Sequence, residues 1–201
     1  MRGSAVSLAV SLVLAAPALA QDMRAPSTGE TVAPVERKSA SEMRSDRLDA
    51  LMAQLHRESG RRDALSVEQD IWELWMSSDS PTAEILLQQA TRAMNDKANE
   101  PALAILDRLT GAYPNFAEAW NKRATLHFMM GNFAASLADI EKVLDLEPRH
   151  FGALSGKGLI HQRQKNYSAA ISAFEEALAI NPNMPSVKDA VKELEKIERG
   201  I

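Results

Sequence analysis

Cysteine is absent from the 201 residues, which removes several chemistries at once. No disulfide framework can form, no thiol nucleophile or thiolate metal ligand exists, and a lipid-modified cysteine at a processing site is excluded. Aromatics are few, and neither sign of charge dominates, with 23 Lys and Arg against 27 Asp and Glu. Nucleic-acid binding needs clustered cations to displace counterions from phosphates, and no basic stripe with interleaved aromatics occurs, so nucleic acid is not expected as a partner. Histidines number four. His56 and His150 have no Cys, Asp or second His at ligand spacing and read as surface or loop residues. His127 and His161 stand 34 residues apart. Equivalent positions on stacked helical units lie roughly 10 Å apart, too far to share one zinc, so both read as partly buried packing rings. No metal and no cofactor is expected.

Other catalytic patterns are missing too. There is no Gly-x-Ser-x-Gly elbow and no His-Glu-x-x-His stretch. Gly156-Lys157-Gly158 lacks phosphate-loop spacing, because Gly152 is one residue too close and Gly158 stands where Ser or Thr is required. An enzyme is therefore not expected. Asn166-Tyr167-Ser168 fits a glycosylation sequon, which matters only in a cell that performs that modification.

One apolar run does occur, at the amino end. Arg2 precedes the stretch from Ala5 to Ala16, followed by Ala18-Leu19-Ala20, the pattern of a secretory signal peptide spanning residues 1–20 with cleavage after Ala20. The run is short of the ~20 residues a spanning helix needs, and no second run follows, so no stable membrane insertion is expected after cleavage. The sequence thus predicts a periplasmic or secreted protein. Removal of Arg2 takes the formal charge from −4 to −5. Residues 21–44, with Pro26, Ser27, Gly29, Pro34 and no apolar period, read as a disordered tether.

Beyond the tether the chain repeats. Pro114, Pro148 and Pro182 fall 34 residues apart, each closing a similar amphipathic segment. Aligned positions read Leu86, Trp120 and Leu154; then the small residues Ala90, Ala124 and Gly158; then Ala102, Ser136 and Ala170; then Leu106, Ile140 and Phe174; then Leu109, Val143 and Ala177. Spacings of three and four put these on one helical face. Gly131-Asn132-Phe133 and Lys165-Asn166-Tyr167 mark turns, supported by Gly or Asn, before an aromatic re-enters the core, whereas the first unit has Asn99 in place of the aromatic.

This pattern resembles the tetratricopeptide repeat, a 34-residue helix-turn-helix, over residues 83–182, with its strongest match in Ala119-Trp120, Gly131, Phe133 and Leu146-Glu147-Pro148. The resemblance implies an all-α, right-handed superhelix with repeats at 83–116, 117–150 and 151–184. A unit of this size cannot bury its apolar face alone and must stack on neighbours. Residues 45–82 read as an amino-terminal helical hairpin, with Leu48, Leu51, Met52 and Leu55 on one helix and Val67, Ile71, Leu74 and Trp75 on the next, which opens with a Ser66–Gln69 capping box. It is expected either as an end cap or as a decayed fourth repeat, since the frame puts Trp72 and Trp75 at second-helix core positions but Glu68 at the small one. Residues 185–201 read as the solvating carboxy-terminal cap.

The family is a scaffold, and its members line the concave surface with the exposed face of each first helix. Here that face is Gln88, Thr91 and Asn95, then Asn121, Lys122, Thr125, Phe128 and Met129, then Ser155, Leu159, Gln162 and Arg163. Amides and hydroxyls can bond a peptide backbone, Phe128, Met129 and Leu159 offer an apolar anchor, and Lys122 and Arg163 favour an acidic group. The paired Lys and Asn sets of carboxylate-gripping members are incomplete here. The reading is a non-enzymatic interaction scaffold, exported to the periplasm, that binds a peptide or envelope protein along its groove. The alternative is a self-associating structural subunit, a homo-oligomer joined through its ends or an exposed Trp72/Trp75 pair.

Overall fold

The computed structural model describes residues 38–58 and 63–200. The expected signal peptide, 1–20, and residues 21–37 of the expected tether lie outside them. Helix α1 (Ala40–Arg57) opens on Ser39, whose hydroxyl accepts from the Glu42 N–H while the Glu42 carboxylate accepts from the Ser39 N–H. This reciprocal capping box starts the helix inside the expected tether, so residues 40–44 are helical. Helix α2 (Asp63–Met76) begins a turn before the expected Ser66–Gln69 box, leaving both side chains within it; Asp63 supplies the acidic group that favours a helix start. Pro81 under a Ser80 cap opens α3 (Pro81–Asn95). Then follow α4 (Asn99–Ala112), α5 (Ala117–Met129), α6 (Phe133–Leu146), α7 (Phe151–Arg163), α8 (Tyr167–Ile180) and α9 (Pro185–Arg199), with no strand among the described residues.

Helices α3–α4, α5–α6 and α7–α8 pair as hairpins, and α4–α5, α6–α7 and α8–α9 stack each hairpin on the next, giving an all-α repeat solenoid. First helices meet one another, since α5 touches both α3 and α7. The sequence register reappears as burial: Ala102, Ser136 and Ala170, with Leu106, Ile140 and Phe174 and with Leu109, Val143 and Ala177, are all inside. Ser136 stands where the frame otherwise has alanine, and its buried hydroxyl donates to the Ala124 carbonyl at 2.7 Å, across the hairpin. Arg123 of α5 joins three helices. It donates a fork to Asp139 on α6 at 2.8 and 2.7 Å, reaches Asp107 and Thr110 on α4 at 2.9 and 3.0 Å, and lies over the Trp120 ring. The fork to Asp139 raises the guanidinium above its ordinary pKa despite burial.

Turn geometry also obeys the period. Lys97, Gly131 and Lys165 occupy equivalent positions, with φ of 59°, 79° and 61°. The following N–H groups, of Ala98, Asn132 and Asn166, return to the carbonyls of Ala93, His127 and His161, the double closure that ends a helix on a left-handed residue. In the third turn that residue is Lys165, and Asn166, expected to support the turn, closes it through its N–H.

The amino-terminal hairpin is placed differently from either expectation. An end cap or fourth repeat would stack on α3–α4. Instead Leu48, Leu51, Met52 and Leu55 of α1 and Ala64, Val67, Ile71 and Trp75 of α2 close one buried cluster with Phe151 and Leu154 of α7, bordered by Trp72, Leu144, Ile180 and Met184. Polar ties fix the same placement. Arg149 donates to Asp49 at 2.6 Å, Asn181 to Glu68 at 3.0 Å and Asn183 to the Leu55 carbonyl at 3.5 Å. Glu68, which spoils the small-residue position of a repeat, is thus matched by an amide at the far end of the array. Trp75 is buried and Trp72 half-buried, so the expected exposed tryptophan pair for self-association is covered.

Two glycines of α7 separate packing need from helix propensity. At Gly158 a Cβ would stand 2.4 Å from the buried Phe174 ring, whereas at Gly156 it would meet Ile140 Cδ1 at 3.5 Å, an ordinary contact. Gly158→Ala is expected to destabilise, because overpacking costs about 1–3 kcal/mol and outweighs the helix gain of about 1 kcal/mol. Gly156→Ala is expected to stabilise by up to that gain. Thermal unfolding followed by circular dichroism checks the pair; equal shifts for both would refute the packing argument.

Candidate binding groove

Between α5 and α7 the inner face holds a cavity of about 220 Å³. Asn121, Thr125 and Phe128 line it from α5 and Ser155 and Leu159 from α7, over a floor of Ala124, Ile140, Ala153 and Gly156. Ser136, Gly152 and Met184 complete the lining. Five of the twelve expected groove residues are therefore brought together. Arg163 joins from the rim, its guanidinium 5.9 Å from the centre of the Phe128 ring. Phe128 is held from behind by Phe133, with ring centroids 5.7 Å apart.

The other expected residues stand elsewhere. Gln88 and Asn95 are exposed on α3, and the Thr91 hydroxyl donates to the Leu87 carbonyl of its own helix; none of the three lines the cavity. Met129 and Gln162 also lie outside its lining. Lys122 is committed within the molecule, standing 3.0 Å from Glu118 Oε1, so its charge is not offered to a ligand. Asn121, expected as an exposed amide, is buried and donates Nδ2–H to Glu118 Oε2 at 2.9 Å.

Glu118 is the group that sequence reasoning missed. Its carboxylate has no exposure, at the start of α5. Besides Asn121, it faces His150, whose Nε2 lies 3.2 Å from Oε2. The Ala153 N–H donates to His150 Nδ1 at 3.1 Å, capping α7. An acceptor Nδ1 carries no proton, so the neutral ring holds its proton on Nε2 and donates it to Glu118. Burial pushes the Glu118 carboxyl up, but the His150 hydrogen bond and the Lys122 charge outweigh it and hold the group below the usual carboxylate range. His150, expected at the surface or in a loop, stands in the α6–α7 loop as the N-cap of α7 but is fully buried. The signal was available: the 34-residue frame aligns His150 with Phe116, also buried at the start of a first helix.

The hairpin lies on this same histidine. Trp75 stacks on the His150 ring at 4.1 Å and 11°, and Trp72 meets His150 and Phe151 edge-on, each at 5.5 Å. Gly152 leaves backbone bare beneath Trp72, where a Cβ would stand 2.5 Å from Cη2. His127 and His161 are half-buried and His56 exposed. Among the described residues no cluster of His, Asp and Glu is arranged to hold a metal, and no helix is long and apolar enough to cross a membrane. A sealed Glu–His pair with no access for a substrate is suited to holding structure, while the α5–α7 cavity is open to a ligand.

Replacing Glu118 by Ala orphans the His150 and Asn121 donors and is expected to cost about 3 kcal/mol at neutral pH. Because the folded pKa is depressed, the contribution is complete above the ordinary value of 4.5 and is lost as pH falls through the folded value. Thermal melts of the natural chain and of Glu118→Gln across pH 7 to 3 check this; the variant should be less stable at neutral pH and converge toward the natural chain in acid. Parallel curves would contradict it.

Comparison with known proteins places this geometry. Residues 121–185 match the tetratricopeptide repeat family model. A TPR repeat-containing protein of Rhizobium etli is 48% identical over 122 residues, covering 61% of this chain and 60% of that protein, so the chain spans about three-fifths of its relative's length. The solved structure of the first TPR of Spaghetti (RPAP3) bound to the HSP90 peptide SRMEEVD is 18% identical, with a TM-score of 0.57, over 60% of this chain and 96% of that one. The crystal structure of MamA protein is 16% identical, with a TM-score of 0.55, over 79% of this chain and 84% of that one. The 34-residue register and the stacked hairpins agree with these matches: residues 121–185 carry tetratricopeptide repeats, and the fold is that of the solved repeat domains.

Proposed function

We propose that this protein is a non-enzymatic interaction scaffold that holds a peptide segment of an envelope protein against α5 and α7. The observation that carries the reading is the cavity whose apolar floor is rimmed by Asn121, Thr125 and Ser155 and flanked by Arg163. At about 220 Å³ it lies below the range of drug-sized pockets and suits one large apolar side chain. The ligand in this reading is a peptide with an aromatic or large aliphatic anchor and an acidic neighbour. The anchor packs on Phe128 and Leu159, and the acid faces Arg163. A peptide partner is in keeping with the Spaghetti domain, which shares the fold and whose structure holds a peptide. Export rests on the sequence of residues 1–20.

Peptides enriched from a random phage library by the full chain test the groove. Phe128→Ala is expected to weaken the selected peptides at least tenfold, about 1.4 kcal/mol, and Arg163→Glu to weaken those with an acidic neighbour most, with a reduced salt dependence. Enriched peptides that bind both variants with unchanged Kd would contradict the site. Export is tested by expression in a Gram-negative host. The expected product is a periplasmic chain beginning at Gln21, and a cytosolic chain retaining residues 1–20 would refute it.

A further inference from the structure

The groove and the amino-terminal hairpin share a wall. Gly152 and Met184 line the α5–α7 cavity, and the same two residues meet the hairpin, Gly152 under Trp72 and Met184 at the border of the hairpin cluster. Helix α2 also touches α5. The hairpin therefore covers the inner face immediately beside the cavity. Its ties to the array are a buried apolar cluster with Phe151 and Leu154, a tryptophan over a bare glycine, a tryptophan stacked on a histidine, and the polar pairs Asp49–Arg149 and Glu68–Asn181. Covalently it joins the array through the non-helical residues 77–80.

We propose that the α1–α2 hairpin is a built-in competitor for the inner face, undocking as a unit about residues 77–80, and that a peptide longer than its single anchor binds by taking the place of Trp72 on Gly152. The inference rests on the groove reading above and adds its regulation. The α5–α6 core, with Ala124, Ile140, Val143, Ala153 and Ile160, includes no hairpin residue and stays closed on undocking, while the α3–α4 cluster loses only Met76 at its border and α7–α8 loses the apolar cover over Phe151, Leu154 and Ala177. Peptide affinity is then reduced by the fraction of chains that are closed, and anything that loosens the hairpin strengthens binding by the same factor.

The chain has no cysteine, so introduced ones are unique. Full-length chains are compared in four forms: natural, Gly152→Ala, Asp49→Lys, and Asp49→Cys with Arg149→Cys joined by a short bismaleimide. Amide exchange by helix and the Kd of a phage-selected peptide of eight or more residues are measured on each. Gly152→Ala puts a methyl into Trp72, and Asp49→Lys opposes Arg149 without touching the groove. Both are expected to speed α1–α2 exchange while α5–α8 stay protected, at least tenfold for the glycine variant and less for the other, and Asp49→Lys, which leaves Gly152 bare for the ligand, is expected to tighten the peptide in parallel. The cross-linked chain should bind at least tenfold more weakly. Loss of α1–α2 protection only together with α7–α8 would overturn the proposal, because the hairpin would then be core. Equal binding by the cross-linked chain, with loss on Phe128→Ala, would overturn the competition and leave the groove reading intact. Binding indifferent to Phe128→Ala would overturn the groove reading and the competition with it.

Discussion

A carboxylate without water has to be matched inside the protein, and the Glu118 carboxylate sets the arrangement around it. Asn121 and Lys122 come from its own helix, but the third partner, His150, comes from the next repeat, so the pair ties two repeats together at their inner edge. The same imidazole accepts the Ala153 N–H at the start of α7, which fixes both its tautomer and the plane of its ring. Trp75 stacks on that plane, and Trp72 packs edge-on to Trp75 at 5.2 Å. One buried charge thus sets a histidine, the histidine seats a tryptophan, and the tryptophans seat a hairpin.

The repeat array alone would leave its first helices open along the inner face, where short side chains such as Gly152, Ser155 and Gly156 face α5. Small residues make the face concave and bare, favouring whatever apolar body can reach it. Here an intramolecular body covers one stretch and leaves the neighbouring cavity free. In the proposed reading, this division gives the chain a ligand site limited to one anchor while the hairpin is docked, and a longer site when it is not.

Most of the repeat fold was legible because period outranks local propensity. Ala102, Leu106 and Leu109 are buried like their equivalents, although the first unit lacks the aromatic after its turn. The third turn was legible in position but not in chemistry, since the left-handed conformation falls on Lys165 while the reading named only Asn166 as the residue supporting that turn. The groove was half legible. Asn121, Thr125, Phe128, Ser155 and Leu159 follow from helical spacing on α5 and α7, yet spacing does not report charge pairing, so Lys122 passed as a ligand charge and Asn121 as an exposed amide. The hairpin was legible as two amphipathic helices, while its docking site was not. That site depends on pairs separated by 100 or more residues, Asp49 with Arg149 and Glu68 with Asn181, which no local pattern announces. The start of α1 was missed for a simpler reason, an unnoticed Ser39–Glu42 capping box.

The central claim is that the hairpin lies on α7 rather than on the end of the array. Nuclear Overhauser contacts in the full chain, with tryptophan rings labelled, test it most directly. The account predicts cross-peaks from Trp72 ring protons to the Gly152 Hα and from Trp75 to the His150 ring, with Gly152 Hα displaced by ring current. Contacts from Trp72 and Trp75 to side chains of α3 and α4 instead, with the Gly152 Hα at an ordinary shift, would contradict it.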